Sequence, residues 1–101
     1  MAVVFVCSPY GGKQENVERA IGYCLMEMAL GNTPYAPHIF FTQILDEDTG
    51  REDGISHGLE MLARCDELHY WGAISPGMRR EIEYAESAGI PVVCMTGGDE
   101  D

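Results

Sequence analysis

The chain predicts an α/β fold: a small doubly wound parallel sheet of about four strands, in the order 2-1-3-4, with three helices, one of them on the opposite face. Three observations predict it. Short apolar runs rich in β-branched or aromatic residues recur at AVVFVC, ELHYWG and IPVVCM. Segments with apolar residues at helical spacing separate the runs. Strands that alternate with helices pair in parallel through right-handed crossovers. A length of 101 residues, 46% of them hydrophobic, holds one core and one domain. That domain is expected over residues 1–96, with GGDED as a solvated, flexible acidic tail over 97–101.

The elements follow in order. AVVFVC is a continuous apolar run and reads as a strand buried on both faces. SPYGGK is a turn. From Gln14 to Leu30 the residues Val17, Ala20, Ile21, Cys24, Leu25 and Met28 form an amphipathic stripe, stopped by Gly31 and Asn32. YAPHIFFTQIL reads as the second extended segment, and LDEDTGRED as the one long polar loop. Ile55, Gly58, Leu59 and Leu62 mark a helix that ends near Cys65. ELHYWG is a short strand. Ser75 as N-cap and Pro76 at the first helical position open a third helix, Gly89 ends it, and IPVVCM is the last strand. The pattern is that of flavodoxin-like or Rossmann-like sheets.

Charge narrows the function classes. Six Lys and Arg against 17 Asp and Glu leave a formal net charge of −11. That balance provides no basic stripe for a nucleic acid and disfavours anionic membranes. No apolar run is long enough to span a bilayer, and the first residues lack a basic signal-peptide start, so a cytoplasmic protein is expected. Cys7, Cys24, Cys65 and Cys94 form no CxxC pair and have no His at ligand spacing, so no metal is expected and the thiols read as buried and reduced. Gly11-Gly12 is followed by no GxGxxG or Walker pattern, and no cofactor is expected.

In open α/β sheets ligands lie beyond the carboxyl ends of the strands. That rule selects Ser8 to Gly12, Pro37 to Phe41 with the loop after it, Gly72 to Gly77, and Thr96 to Gly98. On a wheel at about 100° per residue, Met78, Ile82, Ala85 and Gly89 of the third helix fall on one stripe. Glu81 lies about 60° from Met78, still on the stripe side, whereas Glu83 and Glu86 lie on the far flank. An inward Glu81 has two readings: a carboxylate at the helix seam or paired with an arginine, or a functional group. Ser75-Pro76-Gly77 likewise reads either as a capped helix start or as an anion site at free backbone N–H groups. His38 reads as a hydrogen-bonded structural residue ahead of a base, and His57 and His69 carry no expected role. Tyr70, Trp71 and Tyr84 fit either a core or a dimer face.

At these residues the chain resembles the nucleoside 2-deoxyribosyltransferase-like proteins. Their pattern, approximately D-x-G-T-x-x-E-x-G-x-A, has Gly77, Glu81 and Ala85 in register here, within S-P-G-M-R-R-E-I-E-Y-A and followed by G-I-P-V. The turn Ser8-Pro9-Tyr10 and the helix end Ala63-Arg64-Cys65-Asp66 extend the match over residues 3–93. APH-x-F-F, a Cys-Asp-Glu run, W-G and S-x-GM-x-x-EI look like a small branch common in phages and prophages. The family's Asp is absent, with Ser75 nearest its place, and Met78 stands where the family has Thr.

The resemblance implies that Glu81 attacks C1′ of a nucleoside, forming a glycosyl ester that water or another base resolves with retention. It implies that Tyr10 orients Glu81, and that Ser75 to Met78 hold the 5′ end or a phosphate. Trp71 or Phe41 would stack on the base. Ser8, Pro9, Gly11, His38 and Gly72 complete the expected ligand contacts. Asp46, Asp48, Asp53 and His38 are the candidates for the general acid. Arg51, Arg79 and Lys13 are the cations available to an anionic ligand. The alternative function is a non-catalytic binder of a nucleotide or nucleotide-derived signal in the same cleft. A homodimer or higher oligomer is expected from the small size and the aromatic residues, and from the resemblance. The sharpest expectation is a cleft that joins Glu81 to Ser8, Tyr10, Gly72 and Ser75. No net direction is expected for its pKa, because burial and a donated hydrogen bond oppose each other.

Overall fold

The computed structural model describes residues 1–11, 13–40 and 51–96. Four parallel strands form one sheet: β1 (Val3–Cys7), β2 (Thr33–Tyr35), β3 (Glu67–Tyr70) and β4 (Val92–Cys94). Their order is β2-β1-β3-β4, as the alternation of elements predicts. The long helices are α1 (Gln14–Ala29), α3 (Arg51–Leu62) and α4 (Pro76–Ser87), and a single turn, α2 (Pro37–Phe40), precedes residue 41.

Strand β1 is central, and its side chains alternate between two cores. Phe5 and Cys7 point to one face and pack with Leu62, Cys65, Leu68, Met78, Ile82 and Ala85, the inward residues around α3 and α4. Val4 and Val6 point to the other face, where Ala36 and Trp71 join them under Tyr23 and Cys24 of α1. So, among the described residues, α1 with Ile39 of α2 covers one face, and α3 and α4 cover the other. In α4 the helical stripe is buried as the wheel predicts, with Met78, Ile82 and Ala85 inward.

The second extended segment lies earlier than expected. Thr33 begins β2 by donating its N–H to the Ala2 carbonyl at 2.8 Å. Pro34 is tolerated because β2 is an edge strand. Pro37, with its fixed φ, then starts a helical turn instead of continuing the strand. Arg51 to Asp53, read as loop, are the first turn of α3. The rest of that loop, residues 45–50, the Phe41–Leu45 part of the extended segment, and the tail 97–101 lie outside the described residues.

Helix α1 departs most from its pattern. Val17 and Ala20 are buried and Cys24 half-buried, but Ile21, Leu25 and Met28 of the predicted stripe face outward. The residue that turns inward in the last turns is Glu27, fully buried. Its Oε2 lies 2.8 Å from Nδ1 of His69 on β3, and its Oε1 accepts from the Asn32 side-chain amide at 3.0 Å. Nε2 of His69 lies 2.6 Å from Glu67 Oε1. Each ring nitrogen of His69 thus faces a carboxylate. A buried charge costs too much without such partners, so this network sets the rotation of α1. His69, given no role from sequence, is therefore a buried structural link between helix and sheet.

The thiols also divide. Cys7 and Cys65 are buried, Cys24 is half-buried, and Cys94 is exposed because β4 is the other edge of the sheet. All four are unbridged. Trp71 belongs to the core and Tyr70 and Tyr84 pack half-buried against it, so these aromatics do not form an exposed face.

Candidate functional site

Backbone hydrogen bonds align the carboxyl ends of three strands. Trp71 N–H donates to the Cys7 carbonyl at 2.9 Å, and Met95 N–H to the Tyr70 carbonyl at 2.9 Å. Beyond this edge the loops after β1 and β3 touch. Gly72 has φ +82, which favours glycine, and a Cβ there would fall 3.3 Å from Cδ of Pro9. Gly72 N–H then donates to Thr96 Oγ1 at 3.2 Å, tying in the end of β4.

The start of α4 sits over this edge. Ser75 caps it in extended backbone: Met78 N–H donates to Ser75 Oγ at 3.3 Å, and Ser75 N–H points at Met78 Sδ at 3.4 Å. A reciprocal cap of this kind normally uses Glu or Gln at the third helical position. Here a buried methionine supplies the acceptor, a physical reason for Met78 at that place. A Cβ on Gly77 would meet nothing within 4 Å, so no packing among the described residues requires a glycine there.

One turn further on, Glu81 reaches the end of β1. The Cys7 thiol donates to Glu81 Oε1 at 3.1 Å, with the Met78 carbonyl a more distant acceptor at 3.9 Å. Burial pushes the Glu81 carboxyl up to about 7, against the thiol hydrogen bond and the charge of Arg80, which pull it down. Desolvation wins because a thiol is a weak donor and offers no charge. Burial, with Glu81 beside it, holds the Cys7 pKa well above its usual range, so the thiol keeps its proton and remains the donor. The same combination raises Tyr35: burial first, then the neighbouring Cys65 and Glu81.

The residues selected from sequence fall as follows. Ser8 is buried, Pro9 and Tyr10 are half-buried and Gly11, with φ +57, is exposed, all in the turn after β1. The Tyr10 carbonyl accepts from Lys13 N–H at 3.0 Å and from the Asn16 side chain at 2.9 Å, which fixes that turn against α1. Trp71 is 5% exposed, and one face of its ring is covered by Tyr23 at 4.6 Å between centroids. Its Nε1–H is buried and has no acceptor among the described residues. Trp71 therefore offers little open ring face for a base to stack on. Of His38 the backbone is described, in α2; Phe41, Asp46 and Asp48 lie outside the described residues. Cys7 is the contact that sequence reasoning missed. Its signal was available: it is the last apolar residue of the first strand, at the edge where ligands bind. Among the described residues no cluster of three His, Cys, Asp or Glu is disposed to hold a metal ion. No described helix is long and apolar enough to cross a membrane.

Known proteins match this architecture. The family model described as "Domain of unknown function (DUF7768)" covers residues 2–95. No curated protein matches the chain in sequence. Among solved structures, a 2-deoxyribosyltransferase from the psychrotolerant bacterium Bacillus psychrosaccharolyticus superposes with a TM-score of 0.75 at 19% identity, over 99% of this chain and 76% of that one. A 2-deoxyribosyltransferase from Leishmania mexicana gives a TM-score of 0.70 at 16% identity, over 95% of this chain and 65% of that one. At these identities the likeness is one of fold.

Proposed function

On the premise that this chain belongs to the DUF7768 family, we propose that it is a nucleoside or nucleotide N-glycosidase or deoxyribosyltransferase-like protein, with Glu81 as the glycosyl-accepting nucleophile. The observation that carries the reading is the placement of Glu81. It is a partly buried carboxylate at the carboxyl edge of the sheet, with a neutral thiol as donor and a pKa of about 7. Perturbed carboxyls at such edges are what glycosyl chemistry uses. The deoxyribosyltransferase fold of the two solved structures supports the substrate class.

In the proposed reaction an ionised Glu81 oxygen forms a bond to C1′ as the C1′–N bond to the base breaks. The leaving base takes a proton from a general acid, for which His38, Asp46, Asp48 and Asp53 are the candidates. Water then attacks C1′ and breaks the ester, so the sugar leaves with retained configuration. Ser75, Gly77 and Met78 would receive the 5′ end or its phosphate at the N-terminus of α4. Ser8, Pro9, Tyr10 and Gly11 would meet the ligand from the turn after β1 and Gly72 from the loop after β3; Trp71 or Phe41 would meet the base, and His38 would add a further ligand contact. Neither a metal nor a cofactor enters the step. The reading also places the protein in the cytoplasm as a homodimer or higher oligomer, within the small phage and prophage branch whose motifs it carries.

The test is base release, followed by chromatography, from a panel of deoxynucleosides and their 5′-phosphates, alongside ligand-induced thermal shift. Release by the wild-type chain that Glu81→Ala abolishes is the expected result. Stabilisation by a nucleotide without release, preserved in Glu81→Ala, would replace the enzyme reading with the non-catalytic binder.

A further inference from the structure

The apolar stripe of α1 is only half used by the fold. Between Ala20 and Gly31 the chain has a single charged residue, Glu27, and that one is buried against His69. The outer surface of these turns therefore carries no charge, in a chain of net charge −11. What it does carry is Ile21 at 45% exposure, Leu25 at 62% and Met28 at 59%, which lie within about 60° on the wheel, with Met26 at 53% beyond them. Gly22 lies between Leu25 and Met26. A Cβ there would meet nothing within 4 Å, so no contact among the described residues explains a glycine that costs about 1 kcal/mol of helix propensity relative to alanine. Toward its end the stripe runs into a shallow groove of Met1, Met28, Gly31 and Pro34, beside the edge strand β2.

We propose that this face of α1 is where a second copy of the chain docks, helix against helix about a twofold axis near Leu25. The proposal deepens the assembly part of the function proposed above and is independent of the role of Glu81. Three features select a second copy. A twofold between Cys24 and Leu25 sets Ile21 against Met28 of the partner subunit, so the stripe is its own complement. Gly22 and Ala29 lie toward the middle of the face and let two helix backbones approach closely. Two chains of charge −11 repel wherever their acidic surfaces meet, and this charge-free strip is where they can come together without that repulsion. A basic partner would find no acidic group here to pair with. A membrane surface would need an excess of flanking Lys or Arg, whereas at the start of this helix Lys13 and Arg19 are offset by Glu15 and Glu18.

The test is sedimentation equilibrium of the full chain from about 1 to 200 μM, for the wild type, Leu25→Asp, Leu25→Lys and an equimolar mixture of the two variants. A dimer is expected for the wild type and, because a charge at the axis meets its own copy, at least 100-fold weaker self-association for each variant alone. The mixture, in which the two charges are opposite, should recover dimer. Leu25 is exposed and packs on nothing inside the chain's core, so both variants should keep the wild-type circular dichroism spectrum. Met28→Asp, which sets a charge against Ile21 of the partner subunit, serves as the disrupting variant if a Leu25 variant does not fold. A wild type that stays monomeric through 200 μM overturns the proposal together with the assembly reading. Variants that dimerise with the wild-type constant overturn this face and leave assembly standing.

Discussion

Glu27 and Glu81 both turn inward, from helices on opposite faces of the same sheet, yet they occupy opposite kinds of environment. Glu27 is fully buried and both of its oxygens are partnered, one by an imidazole that is itself held by Glu67 and the other by an amide. Glu81 keeps some surface and, among the described residues, has a single thiol as side-chain donor at 3.1 Å. The first arrangement compensates a buried charge; the second leaves desolvation in control and the carboxyl at about 7. The contrast teaches how to separate a structural carboxylate from a functional one within one chain. The structural one is saturated with donors and buried under a helix in mid-sheet. The functional candidate is undersupplied, at the strand ends, where a ligand can complete its shell.

The widest separation between the two should appear on removing each side chain. Glu81→Ala is expected to lower base release at least about 10³-fold, roughly 4 kcal/mol of barrier, while the urea midpoint stays level or rises. Glu27→Ala should do the reverse. It leaves His69 and Asn32 without their acceptor under α1 and should destabilise the fold by about 3–5 kcal/mol, the range for breaking a buried pair. Equal stability losses for both variants would erase the distinction and end the nucleophile reading.

A pH titration sharpens the comparison next. The folded-state pKa of Glu81 lies above its unfolded value of 4.5, at about 7. Between these values the folded state binds the extra proton, so stability should fall as pH rises from about 4.5 to 7 and then level off. The shift corresponds to at most about 3 kcal/mol, reduced by the water that still reaches the side chain. Denaturation midpoints of the wild type against Glu81→Gln from pH 4 to 8 measure it: the difference between the curves should grow with pH and vanish near pH 4. Base release should climb through the same region, because the nucleophile must be ionised. An acid role for Glu81 would give a falling limb instead.

The two helices also show what could be read from sequence and why. In α4 the stripe, the Ser75 cap and the inward side of Glu81 are all legible, because Met78, Ile82 and Ala85 mark the buried side with apolar residues and the capping chemistry is local. The order 2-1-3-4 was legible because alternation and crossover handedness leave few topologies. Helix α1 was misread because its rotation is set by Glu27, whose compensation comes from His69, 42 residues away. Glu67 and His69 stand two apart on a strand, hence on one face, and a charge inside the run Ala20–Gly31 was visible; pairing them needs the three-dimensional register. Pro37 displaced the second strand for the same kind of reason, since a proline fits an extended entry and a helix start equally well until the edge pairing of Thr33 with β1 is known.

The smallest expected effect concerns the thiol that distinguishes the Glu81 environment from that of Glu27. The donated hydrogen bond from Cys7 lowers the Glu81 pKa against burial. Cys7→Ala removes the donor and leaves the burial, so the carboxyl should titrate still higher, by about half to one unit, on the order of 1 kcal/mol. Cys7→Ser places a stronger donor at nearly the same point and should move the titration the other way, toward the saturated state that Glu27 represents. Carbon-detected NMR of the Glu81 carboxyl follows both variants without any substrate, and the rising limb of the pH–rate profile should move with it. Opposite shifts in the two variants would tie the proton affinity of Glu81 to the end of β1. Shifts of the same sign would mean that packing around position 7, and not donation to Glu81, governs the carboxyl, because alanine and serine alter packing alike but differ in the hydrogen bond.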